Sequence, residues 1–321
     1  MSQLLRDRMI YSLDGWMLLT LFAIILCLSS CSKPETPATA TAEAKTFASP
    51  DEAGKALLAA AQSANQDAIV AIFGPESKQL IASGDATQDK ETVDAFVAAY
   101  GTMNRWRKMD DKSQILVLGV DNLPFPIPLK QNGDGRWFFD TAAGKDEILA
   151  RRIGRNELAA IKICGALGNA QAAYHSQPHD GATQYAQKFI SDDGKQNGLY
   201  WKAAEGQPES PLGPLAAFAT AEGYTVQPNA HQPFHGYFFR ILTKQGAQAK
   251  GGAKDYLVNG KMTGGFAFVA YPAEYGNSGV MTFMTDQDGV LIQKDLGKTT
   301  TDAATAMTAF DPDATWTIVA Q

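Results

Sequence analysis

The segments PFHGYFFRILTKQG (residues 233–246) and GGFAFVAYPAEYGNSGVMTFMTDQDGVLIQKDLG (residues 264–297) decide the architecture of this chain. They contain four runs, 236–242, 265–271, 280–284 and 289–293, each rich in aromatic or β-branched residues and bounded by Gly, Pro, Asn or Asp, which is the pattern of strands. Between the last two runs, Asp286-Gln287-Asp288-Gly289 supplies the Gly and Asp that a tight turn with positive φ requires. An antiparallel sheet is expected, with one face covered by a helix from earlier in the chain. Along Tyr237-Phe238-Phe239-Arg240-Ile241 successive side chains point to opposite faces, so at least one ring lies off the main core face. The Gly-rich 246–265 segment is the expected cover for such a ring.

Upstream, residues 145–173 carry Ile148, Leu149, Ile153, Leu158, Ile161 and Leu167 at helical spacing, and supply that covering helix. Earlier still, Ser49-Pro50-Asp51-Glu52 reads as a helix start, with Ser at the cap, Pro in the first turn and Glu completing a capping box. A short helix follows to Phe73 and stops at Gly74. A further helix is expected over 90–107, with Val93, Phe96, Val97 and Tyr100 on one face. Strands are expected at 114–120, 125–129 and 136–140, the middle one confined to an edge by Pro126 and Pro128. The fold class is therefore α+β in two domains, 47–143 and 144–321, each with helices followed by an antiparallel sheet. At 321 residues the chain also exceeds one typical hydrophobic core. The element order of the first domain resembles the cone-shaped nuclear-transport-factor-like or cystatin-like folds. That of the second, a long helix on a four-stranded sheet, resembles the body of type IV pilins without the apolar first half of the pilin helix.

At the N-terminus, Arg6 and Arg8 precede an apolar run, 16–28, too short for a comfortable membrane span. Leu28-Ser29-Ser30-Cys31 resembles the lipobox of bacterial lipoproteins, which implies a signal peptide over 1–30 and an acylated Cys31. Residues 31–46, mostly Pro, Thr, Ala and Glu, then read as a disordered tether. By the same resemblance Ser32 permits transfer to the outer membrane, so the periplasmic side of that membrane is the expected location, with the lipid anchor as the membrane partner. Cys164 is then the one remaining thiol and reads as a small buried residue on a helix.

RWFFDTAAGKDEILARRIGRNELAAI, DDGKQNGLYWKAAEGQPESPLGPL and the two segments quoted first resemble the signature stretches of an uncharacterised family of bacterial envelope proteins, a domain of unknown function, from about Phe47 to the C-terminus. The resemblance implies a location and an architecture, and brings no activity with it.

A net charge of −6 without a basic run excludes a nucleic-acid surface, which needs clustered cations to neutralise phosphates. No phosphate-cradling or dinucleotide-binding pattern occurs, so no cofactor is expected. The four histidines fall as two pairs spaced by four, His175 with His179 and His231 with His235. That spacing binds metals on a helix, but Pro178 and Pro233 interrupt both pairs. Tyr275-Gly276-Asn277-Ser278-Gly279 resembles the surroundings of a serine nucleophile, with His235 and Asp286 as nominal partners. Its chain order differs from that of chymotrypsin-like enzymes, and a turn before a strand explains it as well. The 286–289 turn lacks the ligand positions of an EF-hand loop. Arg151, Arg152, Arg155 and Glu157, just after the first sheet, are expected to hold the two domains together and not to form a phosphate site. Tyr200, Trp201 and the 237–239 rings are candidates for a glycan or peptide groove. A non-catalytic binding or scaffolding module of the envelope, with an envelope protein or glycan as partner, is the leading reading. The competing one is a periplasmic hydrolase or metal-binding protein that uses His235.

Overall fold

The computed structural model describes residues 44–227 and 232–320. The signal segment 1–30, Cys31, the tether up to residue 43 and His231 lie outside the described residues. The architecture is α+β, with helices and antiparallel sheets alternating along the chain.

Helix α1 (Pro50–Gln62) begins as its sequence signature requires. Ser49 is extended and its hydroxyl accepts from the Glu52 N–H, while the Glu52 carboxylate accepts from the Ala48 N–H at 2.8 Å. Helix α2 (Gln66–Phe73) stops at Gly74, whose φ of 90° is closed to most other residues. After a 3₁₀ turn and the short α3 (Lys78–Ile81), Asp85 caps α4 (Ala86–Thr102) by accepting from the Gln88 N–H. That helix starts earlier and ends sooner than its apolar spacing suggests. Residues expected to extend it form β1 (Asn104–Lys108) instead, in which Trp106 alone turns inward and pairs with Leu116 of β2 (Gln114–Leu118). The strand expected at 125–129 is split into β3 (Leu123–Pro124) and β4 (Leu129–Gln131), because Pro126 and Pro128 have no N–H to give a ladder. With β5 (Trp137–Phe139) these strands form an antiparallel sheet in the order β1-β2-β4-β5, β3 pairing with β2. Its core joins Phe47, Leu57, Ile72, Leu129 and Phe139.

Helix α5 (Thr141–His175) runs 35 residues, longer at both ends than its apolar pattern, and at its start the Asp140 side chain caps it by accepting from the Ala143 N–H. The expected domain boundary between residues 143 and 144 falls in its first turn, so the helix passes unbroken from the first sheet to the second. Beyond it come the two-residue strands β6 (Pro178–His179) and β7 (Ala182–Thr183), then α6 (Gly213–Ala221).

The second sheet begins with β8 (Tyr237–Leu242). Short strands β9 (Lys244–Gln245), β10 (Lys254–Asp255), β11 (Leu257–Val258) and β12 (Lys261–Met262) occupy the following segment. The sheet continues with β13 (Ala267–Pro272), β14 (Met281–Asp286) and β15 (Ile292–Asp295). After α7 (Thr300–Ala306) and β16 (Ala309–Phe310), β17 (Thr317–Ile318) adds a fifth strand, in the antiparallel order β17-β15-β14-β13-β8. The 286–289 turn closes as expected, the Gly289 N–H donating to the Asp286 carbonyl.

All six residues of β13 are buried, since this sheet is covered on both faces and not on one. Ala160 and Cys164 of α5 pack on Tyr237, Ala270 and Phe283, while Ala304 of α7 and Phe310 of β16 share a cluster with Val269 and Met284. The alternation along β8 works as read: Tyr237 joins the α5 side, and Phe238 meets Tyr271 at 5.7 Å. Gly279 lets the loop before β14 approach this face, because a Cβ there would lie 2.2 Å from the Tyr237 hydroxyl. The described residues belong to one compact unit, Thr41–Gln321, which carries all four hydrophobic clusters and therefore its own core.

Candidate binding site

Among the described residues an apolar cavity of about 390 Å³ lies among the helices of the first half, larger than a second one farther along the chain. It is within the roughly 300–1,000 Å³ range of small-molecule sites, whereas the second, about 240 Å³ between α5, α6 and β8, is below it. Periodicity builds the walls. On α4, Thr92, Phe96 and Ala99 recur at helical spacing and face the chamber together with Val93. Opposite, the proline-broken connection supplies Phe125, whose ring sits 5.6 Å from Phe96 and 6.2 Å from Phe73. Helix α5 contributes Ile148, Arg151, Arg152 and Arg155, spaced 3, 4 and 7 residues from the first and so on one stripe.

Polar groups in the lining are few. Gln88, 3% exposed, donates to the Asn156 side chain at 2.8 Å, and its Oε1 has no hydrogen-bond partner among the described residues. Burial pushes the Asp89 carboxyl up, against the Ser83 groups that bond it and the charge of Arg152. Burial also pushes the Arg152 guanidinium down, with Asp89 opposing.

The four residues expected at the domain join are spread over different tasks. Arg152 donates to the Leu80 carbonyl and to the Asn277 side chain, and the Glu157 carboxylate accepts from the N–H groups of Val280 and Met281 at 3.0 and 2.9 Å. Both therefore connect α5 to segments distant in sequence. Arg151 pairs with Glu147 at 2.6 Å and donates to the Pro124 carbonyl. Arg155 is exposed and makes no hydrogen bond or ion pair with described residues.

The nominal hydrolase side chains engage other groups, Asp286 accepting from the Asp288 N–H. Ser278 is fully buried, and its hydroxyl accepts from the Glu274 N–H and donates to the Glu274 carbonyl. His235 instead lies 3.1 Å from the Glu222 carboxylate and 4.4 Å from the Phe234 ring. Glu222 itself is raised by burial, with His235 opposing. His175 ends α5 and stacks on Tyr185 at 4.2 Å, while His179, on β6, stacks on Tyr174 at 3.6 Å. Among the described residues no group of three or more His, Cys, Asp or Glu is placed to hold a metal. Tyr200 and the 237–239 rings line the smaller cavity together with α6 and residues 224–227 and 232–234, and Phe238 and Phe239 also pack on the cluster that holds Ala249, Tyr256 and Met262 of the expected cover.

Sequence reasoning missed a buried polar network beside the larger cavity. The Asp85 carboxylate accepts from the Tyr224 hydroxyl at 2.9 Å and the Gly236 N–H at 3.0 Å, besides capping α4. Gln88 donates to Asn156, which donates to the Ser278 carbonyl. The one local signal was Asp85-Ala-Thr-Gln88, a capping signature.

These features define an α+β protein with a helix-walled apolar chamber, cationic on its α5 side. The chain belongs to the family described as "Protein of unknown function (DUF2950)", whose model matches residues 44–319. No curated protein and no solved structure matches it. Among the described residues no helix is long and apolar enough to cross a membrane.

Proposed function

We propose that this protein is a non-catalytic binding module, held on the periplasmic side of the outer membrane by a lipid on Cys31, and that the larger cavity is its ligand site. The cavity carries this reading: a predominantly apolar, solvent-connected space of about 390 Å³ has the size of a small-molecule site. Serine-nucleophile chemistry finds no support, because the Ser278 hydroxyl is committed to the Glu274 backbone. The anchor rests on the lipobox resemblance and on the short apolar run before it.

The test uses fragment 41–321, which contains every hydrophobic cluster, and a neutral fluorescent probe such as 1-aminoanthracene. The probe should bind with a blue-shifted emission, and Val93→Trp, which fills the chamber from α4, should weaken it at least about tenfold. Equal binding to the filled variant, with both proteins melting alike, removes the cavity as the site. For the anchor, Cys31→Ala in the full chain should abolish incorporation of labelled palmitate; retained label overturns it.

A further inference from the structure

We infer that the ligand of the larger cavity is a single-chain amphiphile with an anionic head, its chain among the aromatic walls and its head on Arg155 and Arg151. This rests on the cavity being a binding site, as argued above. The charge of the lining points to the head group. Every ionisable side chain that lines the chamber is an arginine of α5, Asp89 alone excepted. The three arginines differ in what they have left to offer. Arg152 is buried and committed to Leu80 and Asn277. Arg151 uses one N–H for Glu147 and another for Pro124, and a guanidinium carries five. Arg155 uses none on described residues.

Arg151 and Arg155 are one helical turn apart, so their side chains are neighbours, and of the two only Arg155 has no carboxylate partner among the described residues. Two guanidinium forks at that spacing suit a carboxylate or a phosphate, each with several acceptor oxygens. The apolar part of the ligand has an entry as well. Leu123 lines the chamber, is 57% exposed, and immediately precedes Pro124, the residue that anchors Arg151. An apolar lip beside a cationic pair, opening on an aromatic chamber, matches a molecule with one charged end and one hydrocarbon chain. A compact anion leaves the chamber unfilled, and a neutral hydrocarbon leaves Arg155 unanswered.

The experiment is calorimetric titration of fragment 41–321, below the critical micelle concentration, with dodecanoate, dodecyl phosphate, dodecanol and inorganic phosphate. Both chain-bearing anions should bind, and two further methylenes should tighten binding roughly tenfold. Arg155→Gln, at an exposed position, should keep its melting temperature and weaken the two anions roughly tenfold while leaving dodecanol unchanged. Val93→Trp should weaken every chain-bearing probe. Whichever anion binds tighter supports the inference and tells a fatty acid from a phospholipid fragment. Dodecanol binding as tightly as dodecanoate, or Arg155→Gln without effect on the anions, overturns the anionic head while leaving the apolar chamber standing. Inorganic phosphate binding as tightly as dodecyl phosphate overturns the chain. Failure of all chain-bearing probes removes the chamber reading and this inference together.

Discussion

The Asp85 carboxylate, 2% exposed, accepts three hydrogen bonds and pairs with no cation among the described residues. Two of its donors come from far along the chain, and one of these, the Gly236 N–H, belongs to a pair of residues in left-handed backbone, His235 at φ 50° and Gly236 at φ 73°. A buried carboxylate is tolerated only when such donors replace water. Its charge and the surrounding burial raise the Tyr224 phenol far above the usual value, burial being the larger cause, so that hydroxyl remains a donor at any physiological pH. Asp85→Asn keeps the shape but replaces one acceptor oxygen by a donor. We expect it to lower the stability of fragment 41–321 by about 1–3 kcal/mol in urea titration, and a loss below about 0.3 kcal/mol would show that the network does not hold the fold. The cap itself was readable from Asp85-Ala-Thr-Gln88. Tyr224 was not, because nothing local ties it to a residue 139 positions away. Cys164 makes the opposite case, since an alanine-rich helical context already marked it as buried. At 2% exposure its thiol is pushed up by burial from 9.0 to about 12. In the unfolded chain the thiol ionises above about 9, whereas in the folded chain it stays protonated until about 12, so its contribution to stability is complete below 9 and is lost as the pH rises through that window. At neutral pH fragment 41–321 should react with a thiol reagent only as fast as it unfolds. Rapid labelling of the native fragment would contradict the buried placement.

Elements with a strong period were the legible ones. The small apolar stripe of α1, the long pattern of α5 and the aromatic or β-branched runs of β8, β13, β14 and β15 all formed, with boundaries shifted by a few residues. The misses have physical causes. β1 reads Asn-Arg-Trp-Arg-Lys, whose single inward side chain is too weak a period-two signal, and β17 consists of two residues paired only to an edge. Helix α5 also separates arginines that the sequence presents as equals. Arg152, Asn156 and Glu157 turn toward α3, α4 and the loop before β14, while Arg155 stays exposed where it lines the larger cavity. Arg152→Ala strands a buried carbonyl at Leu80 and should cost about 2–3 kcal/mol, with faster hydrogen exchange in 78–82 and 274–280. Arg155→Ala should stay within about 0.5 kcal/mol of the parent. A comparable loss in both variants would mean that the cluster acts as a single structural unit, leaving Arg155 unavailable to a ligand.

Across the whole molecule, the α+β class was legible because each half repeats the order of helices before strands. The cavity was not, since its lining is drawn from five α-helices, strand β2 and a proline-broken connection whose mutual placement no local pattern encodes. Whether the halves act as separate folding units turns on what joins them. Each has its own sheet and cluster, yet three buried links cross between the 77–89 region and the second sheet or its loops: Asp85 to Tyr224 and Gly236, Gln88 through Asn156 to Ser278, and Leu80 through Arg152 to Asn277. Helix α5 belongs to both cores, placing Ile148 against the first and Cys164 in the second. Unfolding one half alone would leave these donors and acceptors and one face of α5 without partners, a cost that couples the two. Fragment 41–321 should therefore unfold in urea as one transition. Two single-tryptophan variants, one retaining Trp106 in the first sheet and the other retaining Trp316 beside the second, should report the same midpoint and slope once corrected for their own stabilities. Resolved midpoints, or a fragment 47–143 that folds alone with a cooperative melt, would show that the links are contacts between independent domains and that α5 is a connector without a shared core.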